Sequence, residues 1–120
     1  MPKVILVVED DERSLRLIRD LLHVSGYKTL EATNGEIGVE LAKANKPDLI
    51  LMDIMMSKMD GYTACHAIKS NKDTKAIPII MVTSLDQDLN RELGKGVGAD
   101  GYITKPVNQK ELIDTLKRFL

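Results

Sequence analysis

The sequence predicts an α/β domain: a five-stranded parallel sheet with five helices distributed over both faces. Three observations carry this. Residues 4–8, 48–53 and 77–82 are apolar runs with almost no polar alternation, the pattern of strands covered on both sides. Between such runs, apolar residues recur at helical spacing, as in Leu15, Ile18 and Leu22. The two patterns alternate along the chain, and alternation implies parallel strands joined by right-handed crossovers. With 120 residues, 43% of them hydrophobic, there is room for one domain spanning 1–120, and it buries enough surface to fold without covalent staples.

Residues 4–8 are a β-branched first strand that runs into Glu9, Asp10 and Asp11. Asp11 is placed to cap a helix with Leu15, Ile18, Leu21 and Leu22 on its apolar side and Ser25-Gly26 as its stop. Residues 27–32 make a second, more polar strand nearer an edge. Asn34-Gly35 turns the chain into a second helix carrying Ile37, Leu41 and Ala44, which Pro47 ends. The third strand, 48–53, leaves through the turn-rich residues 57–61. Asp60-Gly61 starts a third helix with Tyr62, Cys65 and Ile68 on one side, and Asn71-Lys72-Asp73 ends it. The fourth strand, 77–82, tolerates Pro78 at its beginning and delivers Thr83 and Ser84. A fourth helix carries Leu89, Leu93 and Val97, and Gly94, Gly96 and Gly98 weaken its last turn, so it is expected to be the least stable. Residues 100–104 form a short fifth strand ahead of Lys105-Pro106. Asn108 and Glu111 then have capping-box spacing before Leu112, Ile113, Leu116 and Phe119.

Charge and cysteine content narrow the function. The 17 basic and 18 acidic residues are interspersed and leave a net charge of -1, so no electrostatic grip on nucleic acid or on a membrane surface is expected. Cys65 is the single cysteine, which excludes an internal disulfide and a zinc cluster and fits a reducing compartment. No secretory or transmembrane run is present, and a cytoplasmic location is expected. His23 and His66 have no partner at ligand spacing and read as surface residues.

The strand ends are where the chemistry lies. In an open parallel sheet, ligands collect beyond the carboxyl ends of the strands. Those ends here supply Glu9 and Asp10, Asp53, Thr83 and Lys105, from four separate strands. Two carboxylates about 4 Å apart repel by roughly 4 kcal/mol at an effective dielectric near 20, so three together call for a cation. Oxygen donors without histidine or thiolate point to a hard ion, Mg²⁺ or Mn²⁺, that keeps waters and accepts a phosphate oxygen. Asp53 then suits a nucleophile toward a phosphoryl group, with the Lys105 ammonium and the Thr83 hydroxyl available to neutralise and orient it. Each residue alone has a blander reading: Lys105 as a solvated lysine, Thr83 as a strand residue, Asp53 as a turn cap. Four of them in order at the right strand ends are specific.

With these residues assembled, the chain resembles the response-regulator receiver domain of two-component signalling, the CheY-like family with a flavodoxin-like fold, over essentially its full length. The resemblance implies strand order 2-1-3-4-5. It implies that Asp10 ligates Mg²⁺ directly and Glu9 through water, that Asp53 is the phosphoacceptor and a metal ligand, and that the Met55 backbone carbonyl completes the protein's share of the ligands. By the same resemblance Thr83 is the switch hydroxyl, Tyr102 the aromatic side chain that follows it, and Lys105-Pro106 the family's lysine followed by a peptide bond that is usually cis. One residue departs from the pattern. Ser57 stands where the family usually has proline, which implies a less rigid loop beside the metal site.

The function this implies is a phosphorylation-controlled binding module, not an enzyme. A sensor histidine kinase or a histidine phosphotransfer protein donates to Asp53, and the surface of the fourth helix, fifth strand and fifth helix changes for a downstream protein target. The alternatives are a relay that passes the phosphoryl group on to a histidine phosphotransfer protein, and a receiver excised from a longer regulator. A phosphatase-like domain on the same architecture fares poorly, because Asp53-Ile54-Met55 lacks an Asp-x-Asp pattern and the first loop has no glycine-rich phosphate cradle. Apolar Met55 and Leu85, two residues beyond Asp53 and Thr83, are expected to make self-dephosphorylation slow.

Overall fold

The computed structural model describes residues 2–84 and 96–120. Its central sheet has five parallel strands in the order β2-β1-β3-β4-β5, with β1 Val4–Val8, β2 Lys28–Ala32, β3 Leu49–Asp53, β4 Ile79–Thr83 and β5 Gly101–Thr104. Helices α1 Glu12–Val24, α2 Gly35–Asn45 and α3 Gly61–Lys69, together with the C-terminal helix Gln109–Phe119, cover its faces.

The continuous apolar strands are explained by two cores, one on each face. Leu6, Val8, Ile50, Met52, Ile79 and Met81 pack with Val39 and Ala42 of α2 and Ala64, Cys65 and Ile68 of α3. Their strand neighbours Ile5, Val7, Leu49, Leu51, Ile80 and Val82 face the other way, onto Ile18 and Leu22 of α1 and Leu112 and Leu116 of the C-terminal helix. A period-2 strand buried on both sides has no position left for a polar residue until it ends. That confines the polar chemistry to the strand termini.

The caps fall where the sequence places them. Asp11, Asn34, Asp60 and Asn108 each accept a hydrogen bond from a first-turn backbone N–H of the helix that follows. Lys46 leaves α2 in the left-handed region at φ 46°, just before Pro47.

Two local expectations are corrected. α2 buries Gly35, Gly38, Val39 and Ala42; Leu41 packs partly buried against the same core as expected, whereas Ile37 and Ala44 are exposed. The reason is proximity: a Cβ on Gly38 would stand 2.8 Å from a Val8 methyl, so small residues and not large ones make this contact. β3 and β5 begin one residue later than expected, after Asp48 and Asp100 instead of at them, and β4 begins two residues later, at Ile79, which leaves Pro78 outside the ladder. Both aspartates do the same work, their carboxylates accepting the first amide of the adjacent strand, Val4 N–H and Ile79 N–H, each at 2.8 Å. Lys69 holds Asp100 in place through an ion pair of 2.8 Å. α3 buries Ala64, Cys65 and Ile68, while Tyr62 is half-buried. Cys65 is a core residue as expected, and burial pushes its thiol up to about 11.

The expected fourth helix, with Leu89, Leu93 and Gly94, and also Leu85, lies mostly outside the described residues. Gly96 and Val97 are helical, and Val97 packs against the α2/α3 core. No helix among the described residues is long and apolar enough to cross a membrane.

Candidate functional site

β1 and β3 are adjacent in the sheet, so their carboxyl ends bring Glu9, Asp10 and Asp53 together across the β1–α1 and β3–α3 turns. One carboxylate oxygen from each of the three lies within 4.8 Å of the others. Glu9 is 1% and Asp53 7% exposed, whereas Asp10 stands in solvent at the rim. Lys105, delivered by β5, closes the cluster: its Nζ lies 2.7 Å from Glu9 Oε1 and 3.7 Å from Asp53 Oδ1. The Lys105-Pro106 bond that follows is cis.

The charges are not balanced. Burial, then the hydrogen bond and charge of Glu9, lift the Asp53 carboxyl from its ordinary range to about 7, with Asp10 adding to the rise and Lys105 opposing it. Burial alone would lower the Lys105 pKa, but the Glu9 hydrogen bond and the charges of Asp53 and Glu9 outweigh it and raise the value. One ammonium facing three carboxylates leaves room for more positive charge. The donor set, all oxygen, is of the kind that suits a hard divalent cation.

Thr83 ends β4 and is 2% exposed. It pairs with Thr104, and Met81 pairs with Tyr102 two positions earlier, so Thr83 and Tyr102 belong to the same face of the sheet. Tyr102 is half-buried and packs against the α2/α3 core. The Met55 side chain is 64% exposed beside Asp53, at the edge of a cavity of about 540 Å³ that Asp10, Met56, Ser57 and Tyr62 also line.

Two features of the site are not legible from motifs. Gly61, a turn residue in the sequence, is pressed against the end of β3: its N–H donates to Ile54 O at 2.9 Å, and a Cβ there would lie 2.2 Å from Asp53 O and 2.8 Å from Ile54 Cα. Both clashing atoms are backbone, so the end of β3 must move to admit a side chain. Gly61→Ala is therefore expected to cost about 2 kcal/mol, as overpacking typically does. Chemical denaturation measures this, and a loss below about 0.5 kcal/mol would mean the turn is looser than the geometry requires. The second feature is a hydrogen bond of 3.2 Å from the Ser57 N–H to Asp10 Oδ2. The sequence signalled only half of it, since replacing proline by serine loosens a loop and also restores an N–H.

Known proteins are similar to this chain in sequence and fold. The family model described as the response regulator receiver domain matches residues 5–117. The polar-differentiation response regulator DivK of Brucella anthropi is 37% identical over 100% of this chain and 98% of its own. Among solved structures, Vibrio cholerae chemotaxis protein CheY4 superposes with a TM-score of 0.95 at 29% identity, covering 100% of both chains. The receiver domain of a Pseudomonas aeruginosa sensor histidine kinase, solved with a magnesium ion coordinated in its active site cleft, superposes with a TM-score of 0.92 at 30% identity, covering 99% of this chain and 98% of its own. With the acidic cluster, the strand order and the matched span in agreement, the chain belongs to the response regulator receiver domain family.

Proposed function

We propose that Asp53 accepts a phosphoryl group from a phosphohistidine on a sensor histidine kinase or histidine phosphotransfer protein, in a Mg²⁺-dependent reaction, and that the modified domain engages a downstream protein target. The observation that carries this reading is the buried Asp53 carboxyl set between Glu9, Asp10 and the Lys105 ammonium.

A carboxylate oxygen of Asp53 attacks the phosphorus, the P–N bond to the imidazole breaks, and an acyl phosphate forms while the histidine leaves with the bonding electron pair. Attack requires the ionised carboxylate, yet burial and the neighbouring Glu9 lift Asp53 to about 7. Glu9, Asp10, Asp53 and the Met55 carbonyl would hold the cation. When bound, Mg²⁺ supplies charge neutralisation to the carboxylates and to the transferring phosphoryl oxygens. Lys105 is close enough to Asp53 to pair with a phosphoryl oxygen there, and Thr83 offers a hydroxyl from the next strand.

The added charge then biases two states of the domain by a differential free energy, of which about 1 to 3 kcal/mol is typical between coupled sites. Thr83 and Tyr102, on one face of β4 and β5, are the residues proposed to carry the change toward the surface of β5, the C-terminal helix and the preceding helical segment. The domain works in this way as a cytoplasmic signalling module that keeps the transferred group on its own side chain.

Intact mass after incubation with Mg²⁺ and acetyl phosphate tests the chemistry. The parent is expected to gain one phosphoryl group, Asp53→Asn none, and the parent with excess chelator none. A parent that gains nothing, or an Asp53→Asn variant that gains as much, would overturn the assignment.

A further inference from the structure

The β3–α3 loop does more than lead from Asp53 to the next helix. It crosses back to β1, and the Ser57 N–H donates to Asp10 Oδ2 at 3.2 Å across a sequence separation of 47 residues. The following residue, Lys58, sits in the left-handed region at φ 66°, a conformation that costs a non-glycine residue free energy and persists where surrounding contacts fix it. On its other side the loop is packed against α2, where a Cβ on Gly35 would lie 2.5 Å from Met59 O. The loop is thus held at both ends of a short span, by α2 at Met59 and by the Asp10 carboxylate at Ser57.

We propose that the Ser57 backbone N–H is a positioning group for cation binding: it fixes the rim carboxylate of Asp10 through Oδ2 and leaves Oδ1 for the cation. The inference rests on the reading of Asp10 as a cation ligand. Asp10 needs such help more than its neighbours do. Glu9 is buried and held by Lys105, and Asp53 is buried at a strand end, but Asp10 is exposed, where packing does not fix a rotamer. Hydrogen bonds to the outer side of a metal ligand commonly govern affinity by 10- to 100-fold because they orient the ligating atom. Proline, the residue usual at this place in the family, has no N–H to give.

Mg²⁺ titration by calorimetry on four proteins tests the proposal: the parent, Ser57→Ala, which keeps the N–H, Ser57→Pro, which removes it, and Asp10→Asn. Ser57→Pro is expected to bind Mg²⁺ about ten-fold more weakly while Ser57→Ala matches the parent, and both should melt like the parent in chelator. Equal affinity in Ser57→Pro and the parent, or an equal loss in Ser57→Ala, overturns the role of the N–H. Parent-like binding by Asp10→Asn would instead overturn the ligand reading, and the positioning role with it. Amide hydrogen exchange in chelator supplies a readout independent of the proline variant. The Ser57 amide should exchange faster in Asp10→Ala, which removes the acceptor, than in the parent, and equal rates would count against the bond.

Discussion

Asp53→Asn is expected to stabilise the cation-free protein by about 2 kcal/mol at pH 8 and to leave it nearly unchanged near pH 4. The Asp53 carboxyl is lifted to about 7, first by burial and then by Glu9. An unfolded aspartate titrates near 3.9, so between about pH 4 and pH 7 the folded protein holds a proton that the unfolded chain has released. Stability therefore falls as pH rises through that window and stays at its lower level above it. A rise of that size corresponds to about 4 kcal/mol for an isolated group. The attraction to Lys105 at 3.7 Å is already contained in that value, and an amide is a poorer hydrogen-bond donor to Glu9 than the protonated acid, so the expected net gain is about 2 kcal/mol. Urea denaturation of both proteins in chelator, at pH 4, 6 and 8, measures the gap. Saturating Mg²⁺ should narrow it at pH 8, because a ligand that binds only the folded parent stabilises it by mass action. An asparagine variant less stable than the parent at pH 8 without metal would show that the carboxylate cluster is already neutralised by the protein. The expected result describes a domain that carries a destabilising charge at its candidate site.

Lys105→Met should act in the opposite direction and more strongly, with a loss of about 3 kcal/mol at neutral pH in chelator. The methionine has nearly the same length but leaves Glu9, 1% exposed, without the ammonium that donates to it at 2.7 Å. Removing one partner of a buried pair typically costs about 3 to 5 kcal/mol, because the remaining charge stays desolvated. The lower end applies here, since Lys105 is partly exposed and the Asp11 N–H also donates to Glu9. Mg²⁺ should recover part of the loss by supplying positive charge to the same carboxylates. The i,i+4 pair Lys110–Asp114, with its lysine side chain 87% exposed, gives the comparison: Lys110→Met should change stability by no more than about 0.5 kcal/mol. Equal effects at the two lysines would mean that the Glu9 site is wet enough to solvate its own charge.

Much of the fold was legible because each strand in the centre of the sheet is buried on both sides. Residues 4–8 and 79–82 can be apolar throughout only if helices cover both faces, and that condition fixes the layered α/β architecture from the residues alone. The caps at Asp11, Asn34, Asp60 and Asn108 were legible for a similarly local reason, since each acts within a turn of its own chain position. The buried side of α2 was not. A helix read by its large residues points Ile37 inward, but the packing distance to Val8 admits only Gly38 and Ala42.

The candidate site divides along the same line. The identities of Glu9, Asp10, Asp53, Thr83 and Lys105, and the kind of cation they suit, followed from residue type at strand ends and from the family resemblance. Only the tertiary structure decided that Lys105 sits nearer Glu9 than Asp53, that Asp53 titrates near neutrality, that Gly61 is wedged against its carbonyl, and that Ser57 reaches Asp10. Propensity, capping and hydrophobic period are properties of neighbours along the chain, and a sequence displays them directly. Distances between groups 47 or 96 residues apart, and the desolvation that sets their charges, exist only once the sheet has brought the strand ends together.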